Sequence, residues 1–274
     1  MVNKILFGDC RETLKTIDTK AQMCVTSPPY YGLRNYGGED KQIGMEQTPE
    51  EYIEQLVDVF RSVRDVLTDD GTLWLNIGDT YYNYRSDGNY PKQTVSRTKQ
   101  DLPDFSPVRG NKLHNLKSKD LIGIPWMLAF ALRADGWWLR QDIIWNKPNP
   151  MPESVKDRCT KSHEYIFLLS KSKQYFYDNE AIKEPVKQDW GTRDRTNGKY
   201  HNPGSGLAPH SGLSKSYDRK NKRSVWTVTN KPYKGAHFAC FPPDLIEPCI
   251  LAGSREGDII LDPFMGSGTT AMVA

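Results

Sequence analysis

Residues 26–30 read Thr-Ser-Pro-Pro-Tyr, directly after an apolar run at residues 23–25, and this pentapeptide constrains the fold more than any other feature. Two consecutive prolines cannot continue a strand or enter a helix interior, because each fixes φ and lacks an N–H. Ser27 is held in extended geometry by the proline that follows it. The pattern predicts a strand that ends in a stiff corner, where the Ser27 hydroxyl, the Pro28 carbonyl and the Tyr30 ring are placed to grip a planar heterocycle by its amino edge. A plain strand-to-loop turn, with Tyr30 packed as a lid, is the alternative.

The composition is that of a soluble globular protein and excludes several classes. Of 274 residues, 37% are hydrophobic and 26% are charged. No stretch approaches the roughly 18–20 apolar residues of a membrane span, and the apolar run near the N-terminus is too short for a signal peptide. Five cysteines are scattered without a Cys-x-x-Cys pair, at Cys10, Cys24, Cys159, Cys240 and Cys249. We therefore predict a cytoplasmic protein with reduced thiols, no bound metal and no membrane partner.

Strand and helix patterns alternate along the chain, which predicts an α/β fold with ligand sites at the strand ends. Apolar runs and periodicity predict strands at residues 4–7, 21–25, 72–77, 137–145 and 165–170, and helices at residues 11–17, 49–67 and 121–132. Thr48 is the predicted N-cap of the second helix, with Glu51 completing a capping box. A turn is predicted at residues 69–71, which read Asp-Asp-Gly.

Two stretches, residues 81–119 and 188–234, are rich in Lys and Arg and poor in aliphatic side chains. The net charge of the whole chain is only +3, so this positive charge is concentrated over a nearly neutral body. The stretches are either solvated loops or phosphate-contacting loops that become ordered on nucleic acid, and the concentration of charge favours the second interpretation. The candidate DNA-binding residues are Arg85, Arg97, Lys99, Arg109, Arg193, Arg195, Arg219, Lys222 and Arg223.

A second motif follows an apolar run at residues 259–261, where residues 262–270 read Asp-Pro-Phe-Met-Gly-Ser-Gly-Thr-Thr. The Gly-x-Gly turn lets the backbone approach a ligand closely and permits positive φ. Asp262 at the strand tip is placed to hold a polar or cationic ligand group, and Phe264 offers a flat apolar contact. The run lacks the lysine of a P-loop and the third glycine of a dinucleotide site, so a nucleoside-like ligand without a pyrophosphate fits better than ATP or NAD. A plain strand-to-helix turn is the alternative.

Together the two motifs resemble those of the amino-methylating DNA methyltransferases. Residues 262–270 resemble the S-adenosylmethionine motif of this family, and residues 26–30 resemble its catalytic motif. The catalytic motif comes first in the chain, an order similar to that of the β group of these enzymes. Further blocks that resemble the family lie at Asp9 and at residues 121–126, 144–150, 162–166 and 237–245. The resemblance implies a Rossmann-like methyltransferase sheet, mixed and mostly parallel, with basic insertions that form a DNA-recognition region.

The resemblance also implies a division of the chain. Residues 1–80 would form the catalytic half, 81–119 a basic DNA-contacting insertion, 120–180 the remainder of the catalytic core, 181–235 the target-recognition region and 236–274 the cofactor-binding segment. In the family a carboxylate on the strand after the cofactor motif binds the ribose. The sequence stops at Ala274, so the cofactor segment is expected either to be truncated or to be completed by another segment. The implied cofactor-binding residues are Asp9, Phe241, Pro242, Asp262, Pro263, Phe264, Gly266, Ser267, Gly268, Thr269 and Thr270.

The reaction implied by the resemblance is methyl transfer from S-adenosylmethionine to the exocyclic amine of a base flipped out of double-stranded DNA. The implied catalytic residues are Ser27, Pro28, Pro29 and Tyr30. Serine at the first motif position, rather than Asp or Asn, favours cytosine N4, with adenine N6 as the alternative. An RNA or protein-amide methyltransferase and a catalytically inactive DNA-binding subunit are rival interpretations. Two protein partners remain open: a cognate restriction endonuclease, and a second copy of the chain in a homodimer.

Overall fold

The computed structural model describes residues 3–33, 42–82, 115–186, 218–230 and 241–274. The chain divides into two compact units, one of Met1–Tyr177 with Ser224–Ala274 and one of Asp178–Arg223. The first unit carries both motifs. No helix formed by the described residues is both long and apolar enough to cross a lipid bilayer.

Eight strands and five α-helices are formed by the described residues. The strands are β1 (Ala21–Thr26), β2 (Leu67–Ile77), β3 (Trp138–Asn146), β4 (His163–Ser170), β5 (Glu184–Pro185), β6 (Arg219–Lys220), β7 (Val225–Thr227) and β8 (Ile260–Leu261). The helices are α1 (Cys10–Thr13), α2 (Pro49–Val66), α3 (Ile124–Ala134), α4 (Pro243–Gly253) and α5 (Thr269–Val273), and a short 3-10 turn, Leu14–Thr16, continues α1.

Six of the strands form one sheet in the order β7-β3-β4-β2-β1-β8. β1 pairs in parallel with β2 and β8, and β3 pairs in parallel with β7. β4 is antiparallel to both of its neighbours, β2 and β3. The predicted mixed, mostly parallel sheet is therefore confirmed.

This topology brings strand ends from distant parts of the chain to one edge of the sheet. Because only β4 runs in the opposite direction, its first residues lie at the same edge of the sheet as the last residues of β1, β2, β3, β7 and β8. We call this the upper edge of the sheet. It carries the Thr26–Tyr30 corner, Gly78, Lys147, Glu164 and Asp262. In parallel α/β sheets, ligands bind at the carboxyl ends of the strands, so the upper edge is where a site is expected.

Helix α2 confirms the predicted helix start and provides much of the core on one face of the sheet. The Thr48 Oγ1 accepts from the Glu51 N–H at 3.2 Å, and the Glu51 carboxylate accepts from the Thr48 N–H at 3.3 Å. This reciprocal pair satisfies two of the backbone donors that a helix start leaves free. The apolar face of α2 is buried in the core through Tyr52, Ile53, Leu56, Val59, Phe60 and Val63.

Replacing the cap residue gives a stability prediction. Thr48→Ala leaves the first turn of α2 without its side-chain acceptor and is expected to lower the free energy of unfolding by about 1 kcal/mol. Ser62→Ala is the matched control, because Ser62 lies in the interior of the same helix and its hydroxyl donates only to the Asp58 carbonyl. Urea unfolding followed by circular dichroism measures both. An equal effect of the two substitutions would contradict the assignment of Thr48 as a cap.

Two predicted elements differ from the structure. The predicted strand at residues 4–7 is wrong: the segment pairs with no strand among the described residues, and Ile5, Leu6 and Phe7 are exposed. The sheet ends at β8 on this side, because within the described residues β8 pairs only with β1 and no further strand adds to it. The predicted turn at residues 69–71 lies inside β2, where the pairing with β1 jumps from Ala21 opposite Leu67 to Met23 opposite Thr72. The extra residues form an irregularity within the strand.

The second unit contains the short antiparallel pair of β5 and β6. The Arg223 guanidinium donates to the Glu184 carboxylate at 2.9 Å, and Arg219 donates to the Lys183 carbonyl at 3.0 Å. The unit covers most of residues 181–235, for which a role in target recognition stays a prediction. β7, at residues 225–227 of that range, belongs to the first unit as an edge strand of the large sheet.

Candidate active site

The Pro-Pro corner follows β1 directly and is held from behind by α2. The Tyr52 hydroxyl, on a fully buried side chain, donates to the Pro29 carbonyl at 2.7 Å. Gly44, at φ +101°, lies so close that a Cβ there would be 3.1 Å from the Tyr30 carbonyl oxygen. Within the described part of the chain the Pro28 carbonyl accepts no hydrogen bond. Ser27 is half-buried at the upper edge. The corner therefore presents one hydroxyl and one free carbonyl from a fixed backbone.

Tyr30 is fixed by polar contacts at its tip and by packing along its ring. Its hydroxyl donates to the Glu164 carboxylate at 2.6 Å and lies 3.4 Å from the Asn76 side-chain oxygen. Its ring packs on Gly78, where a Cβ would lie only 2.7 Å from a ring carbon. Burial, and next the Glu164 carboxylate, raise the pKa of the Tyr30 phenol well above its ordinary value, and a hydrogen bond with the Ser27 side chain opposes that rise. The phenol is thus held in its protonated form.

Asp262 joins the two motifs although they are far apart in sequence. Its Oδ1 accepts from the Thr26 hydroxyl at 2.5 Å, a contact across 236 positions, and from the Phe264 N–H at 3.0 Å. Its Oδ2 accepts from the Thr270 hydroxyl at 2.6 Å. Burial raises the pKa of the Asp262 carboxyl above its ordinary value, and the hydrogen bonds from Thr26 and Thr270 oppose this. Both carboxylate oxygens are thus engaged within the protein, and a contact between Asp262 and a ligand stays a prediction.

The glycine turn after Asp262 leaves room for a ligand. Gly266 and Gly268 have φ of +53° and +82°, in the region that favours glycine. A Cβ at Gly268 would meet nothing within 4 Å, so the backbone there borders open space. The Ser267 and Thr269 hydroxyls lie 3.2 Å apart in the same turn. This arrangement fits a nucleoside-like group approached by backbone and hydroxyls.

The other predicted cofactor residues lie on elements that flank this turn. Phe264 packs edge-on against Phe60 of α2, with ring centroids 6.5 Å apart, and Pro263 precedes it at the start of the turn. Pro242 is buried and is the N-cap residue of α4, which packs on β1 and α5, and Phe241 is half-buried beside it.

Asp9 has a capping role in the structure. Its carboxylate accepts from the Arg11 N–H at 2.9 Å, as the N-cap of α1, and forms an ion pair with the Arg11 guanidinium at 2.6 Å. Arg11 in turn donates to Gln55 of α2 at 2.8 Å. A role of Asp9 in binding the cofactor stays a prediction.

Sequence reasoning missed the side chains that contact Tyr30. Glu164 of β4 is the residue whose carboxylate reaches the corner. Burial lowers the pKa of His163, whose ring packs edge-on against Tyr165. The position of Glu164 at a strand end of the upper edge could have revealed it. A carboxylate there is buried only when it is paired, so a partner was to be expected.

Of the nine predicted DNA-binding cations, three lie on described residues: Arg219, Lys222 and Arg223. The other six lie outside the described residues: Arg85, Arg97, Lys99, Arg109, Arg193 and Arg195. Contact of any of them with DNA stays a prediction. Among the described residues, no group of three or more His, Cys, Asp and Glu side chains is arranged to hold a metal ion.

Comparison with known proteins agrees with this geometry. A family model for DNA methylases of the N6/N4 type matches residues 21–274. The type II methyltransferase M.SmaI of Serratia marcescens is 49% identical over 271 residues, which cover 98% of this chain and 82% of the relative.

Two solved structures share the fold. The PvuII DNA methyltransferase, named as cytosine-N4-specific, superimposes with a TM-score of 0.61 at 17% identity, over 97% of this chain and 76% of that one. The M1.HpyAVI–SAM complex gives 0.52 at 16% identity, over 98% and 86%. The family match and the M.SmaI relationship span both the corner and the glycine turn, and the predicted family is confirmed. The chain belongs to the amino-methylating DNA methyltransferases and is an S-adenosylmethionine-dependent type II enzyme.

Proposed function

We propose that this methyltransferase acts on N4 of cytosine, with the amine held by the Ser27 hydroxyl and the Pro28 carbonyl. The observation that carries the proposal is the free Pro28 carbonyl beside a half-buried serine, on a corner that the Thr26–Asp262 hydrogen bond ties to the glycine turn. Serine at the first motif position is more typical of cytosine-N4 than of adenine-N6 enzymes. The PvuII enzyme, which shares the fold, is named for the same chemistry.

The corner would activate the amine by accepting hydrogen bonds from its N–H groups. The lone pair of an exocyclic amine is conjugated into the ring, so the nitrogen is a weak nucleophile. Hydrogen bonds from its two N–H groups to the Ser27 oxygen and the Pro28 carbonyl would localise that lone pair and aim it. Ser27 thus acts as a hydrogen-bond acceptor. No covalent bond to the enzyme is needed, and Pro29 and Tyr52 keep the backbone in place.

The glycine turn would hold S-adenosylmethionine, which supplies an electrophilic methyl group on sulfur when bound. Gly266 and Gly268 allow backbone approach, and the Ser267 and Thr269 hydroxyls offer polar contacts. Asp262 serves this site by fixing the turn against the end of β1. Asp9, Phe241 and Phe264 complete the proposed cofactor set.

The proposed macromolecular substrate is double-stranded DNA with the target base flipped out, because an amine inside a duplex is out of reach of the corner. The basic segments at residues 81–119 and 181–235 would contact phosphates and select the target. Since M.SmaI is named a type II methyltransferase, we propose that a cognate restriction endonuclease accompanies this chain as well. A homodimer and a cytoplasmic location stay predictions.

The experiment that tests the proposal is transfer of a labelled methyl group to bacterial genomic DNA, followed by digestion to nucleosides and chromatography. We expect the label in N4-methyldeoxycytidine. Label in N6-methyldeoxyadenosine would contradict the choice of base and support the adenine alternative. Retained DNA binding without transfer to any base would support the inactive-subunit interpretation.

A further inference from the structure

A loop without helix or strand joins β3 to β4 at the upper edge of the sheet, and we call residues 147–162 the proline loop. Its first residue, Lys147, donates through its ammonium to the Glu164 carboxylate, which also accepts from the Tyr30 hydroxyl at 2.6 Å. Its two ends are joined by the Lys147 N–H, which donates to the Ser162 carbonyl at 2.8 Å. The proline loop therefore leaves the sheet next to the corner.

The first part of the proline loop is stiff. Residues 148–152 read Pro-Asn-Pro-Met-Pro, and each proline fixes φ and lacks an N–H. The Asn149 side chain exchanges two hydrogen bonds with the backbone of Asn230, each 3.0 Å long, from its amide to the carbonyl and from the N–H to its oxygen. This part of the loop is thereby attached to the segment that follows β7.

The second part of the proline loop is braced by Arg158. Its guanidinium donates to both oxygens of the Glu153 carboxylate, at 2.7 and 3.2 Å, and lies 3.9 Å from the centre of the Tyr81 ring. The Lys161 N–H donates to the same carboxylate at 3.1 Å. The loop is thus held in one conformation although nearly all of its side chains between residues 148 and 160 are exposed.

Met151 projects from this loop with 85% of its surface exposed. A single exposed apolar side chain is ordinary on a protein surface, so its position is what distinguishes Met151. It follows Lys147 by four residues, and its Cα can lie at most roughly 14 Å from that of Lys147. In the same loop Lys156 is exposed and forms no ion pair with the described residues, so a cation is available there for a phosphate.

Double-stranded DNA must lie over the upper edge if a base of it is to enter the corner. Flipping that base out breaks its stacking on both neighbours and leaves a gap in the duplex. Proteins that distort DNA insert apolar side chains between base steps, and methionine is among those used. Its unbranched, flexible side chain fills gaps of irregular shape.

We propose that Met151 enters the DNA duplex at the target site and fills the space that the flipped base leaves. This inference rests on the proposed function, in which the target base leaves a double strand. Met151 contacts the DNA and not the reacting amine, so it favours flipping and leaves the chemistry at the corner unchanged. Its contribution is therefore largest where the target base is firmly paired.

The test compares a paired with a mispaired target. The methylated site is mapped on bacterial genomic DNA labelled by the wild type, and a duplex oligonucleotide of that site is made with the target base either paired or mispaired. Met151→Ala is expected to lower the single-turnover rate about tenfold or more on the paired duplex, because the apolar contact is lost. On the mispaired duplex the loss is expected to be less than about threefold, because a mispaired base is easier to flip.

Two further variants are measured with it. Met151→Leu keeps an apolar side chain of similar size and is expected to stay within about threefold of the wild type on both duplexes. Leu251→Ala is the matched control, since Leu251 is 47% exposed near the end of α4, which leads to the start of β8 at the opposite edge. Its rate is expected to stay within about twofold of the wild type.

Four results would overturn the inference. They are a Met151→Ala rate within twofold of the wild type on the paired duplex, an equal loss on the two duplexes, a Met151→Leu rate as low as that of Met151→Ala, and a Leu251→Ala loss equal to that of Met151→Ala. A wild type that labels no genomic duplex DNA contradicts the proposed function itself. An active wild type with an equally active Met151→Ala contradicts only the role of Met151.

Discussion

Replacing Ser27 by alanine is expected to lower the single-turnover rate of methyl transfer by about two orders of magnitude, the cost typical of removing one group that stabilises a transition state electrostatically. Alanine leaves one amine N–H without an acceptor, so the nitrogen lone pair stays conjugated. Binding of S-adenosylmethionine is expected to be unchanged, because the Thr26–Asp262 hydrogen bond that fixes the glycine turn remains. Stopped single-turnover assays and equilibrium titration with the cofactor measure the two quantities.

Two further variants are compared with Ser27→Ala: Ser27→Asn as a conservative replacement and Ser172→Ala as a control. Asparagine keeps an acceptor oxygen at the corner and is expected to retain more of the rate than alanine does. Ser172 follows β4 at the opposite edge of the sheet, where its hydroxyl donates to the Asp69 carbonyl, so its loss is expected to leave the rate unchanged. A Ser27→Ala variant as fast as Ser172→Ala would show that the corner does not hold the amine.

Replacing Asp262 by alanine is expected to remove the hydrogen bonds that join the end of β1 to the glycine turn. The Thr26 hydroxyl, the Thr270 hydroxyl and the Phe264 N–H would lose their acceptor together, in a region where Thr26 and Thr270 are buried. We expect cofactor affinity to fall at least tenfold and the free energy of unfolding to fall by about 3 kcal/mol, because buried donors left unsatisfied cost about 1–3 kcal/mol each. Calorimetric titration and urea unfolding provide the measurements.

Asp262→Asn separates the shape of this side chain from its charge. Burial raises the pKa of the Asp262 carboxyl, so the folded protein holds this proton more tightly than the unfolded chain does. The wild type therefore loses stability as the pH rises from the ordinary pKa of the carboxyl through its raised value, and Asp262→Asn lacks this loss. Urea unfolding at several pH values compares the two proteins. Parallel pH profiles, or unchanged cofactor binding by Asp262→Ala, would contradict the role given to this carboxylate.

Local chemistry made the corner and the start of α2 predictable from the sequence. Two prolines must end β1, and a Thr-Pro-Glu-Glu run must begin α2, whatever the rest of the chain does. The start of α3 was placed three residues too early, at residue 121, because the pattern extends before Gly123, which at φ +87° is the N-cap residue. The strand predicted at residues 4–7 is absent because a strand needs a neighbouring strand to pair with, and the local apolar pattern carries no information about neighbours.

The interior contacts of the site could not be predicted in the same way. The Tyr30–Glu164 and Thr26–Asp262 hydrogen bonds join residues 134 and 236 positions apart, and they exist only because the sheet brings β1, β4 and β8 to one edge. The sequence analysis assigned Asp262 and Tyr30 to ligand contacts, and those roles stay predictions. In the folded chain their polar atoms bond to other parts of the protein, whereas the Pro28 carbonyl accepts no hydrogen bond from the described residues.

A methyltransferase of this kind adds the methyl group to an exocyclic amine, and chemical deamination of the labelled product shows whether the label is there. DNA methylated with label in the methyl group is hydrolysed to free bases, which are then deaminated. A methyl group on the amine leaves as labelled methylamine, and the resulting uracil carries no label. Recovery of labelled methylamine is the predicted result. Label that stays on the ring after deamination, as in thymine, would contradict the account.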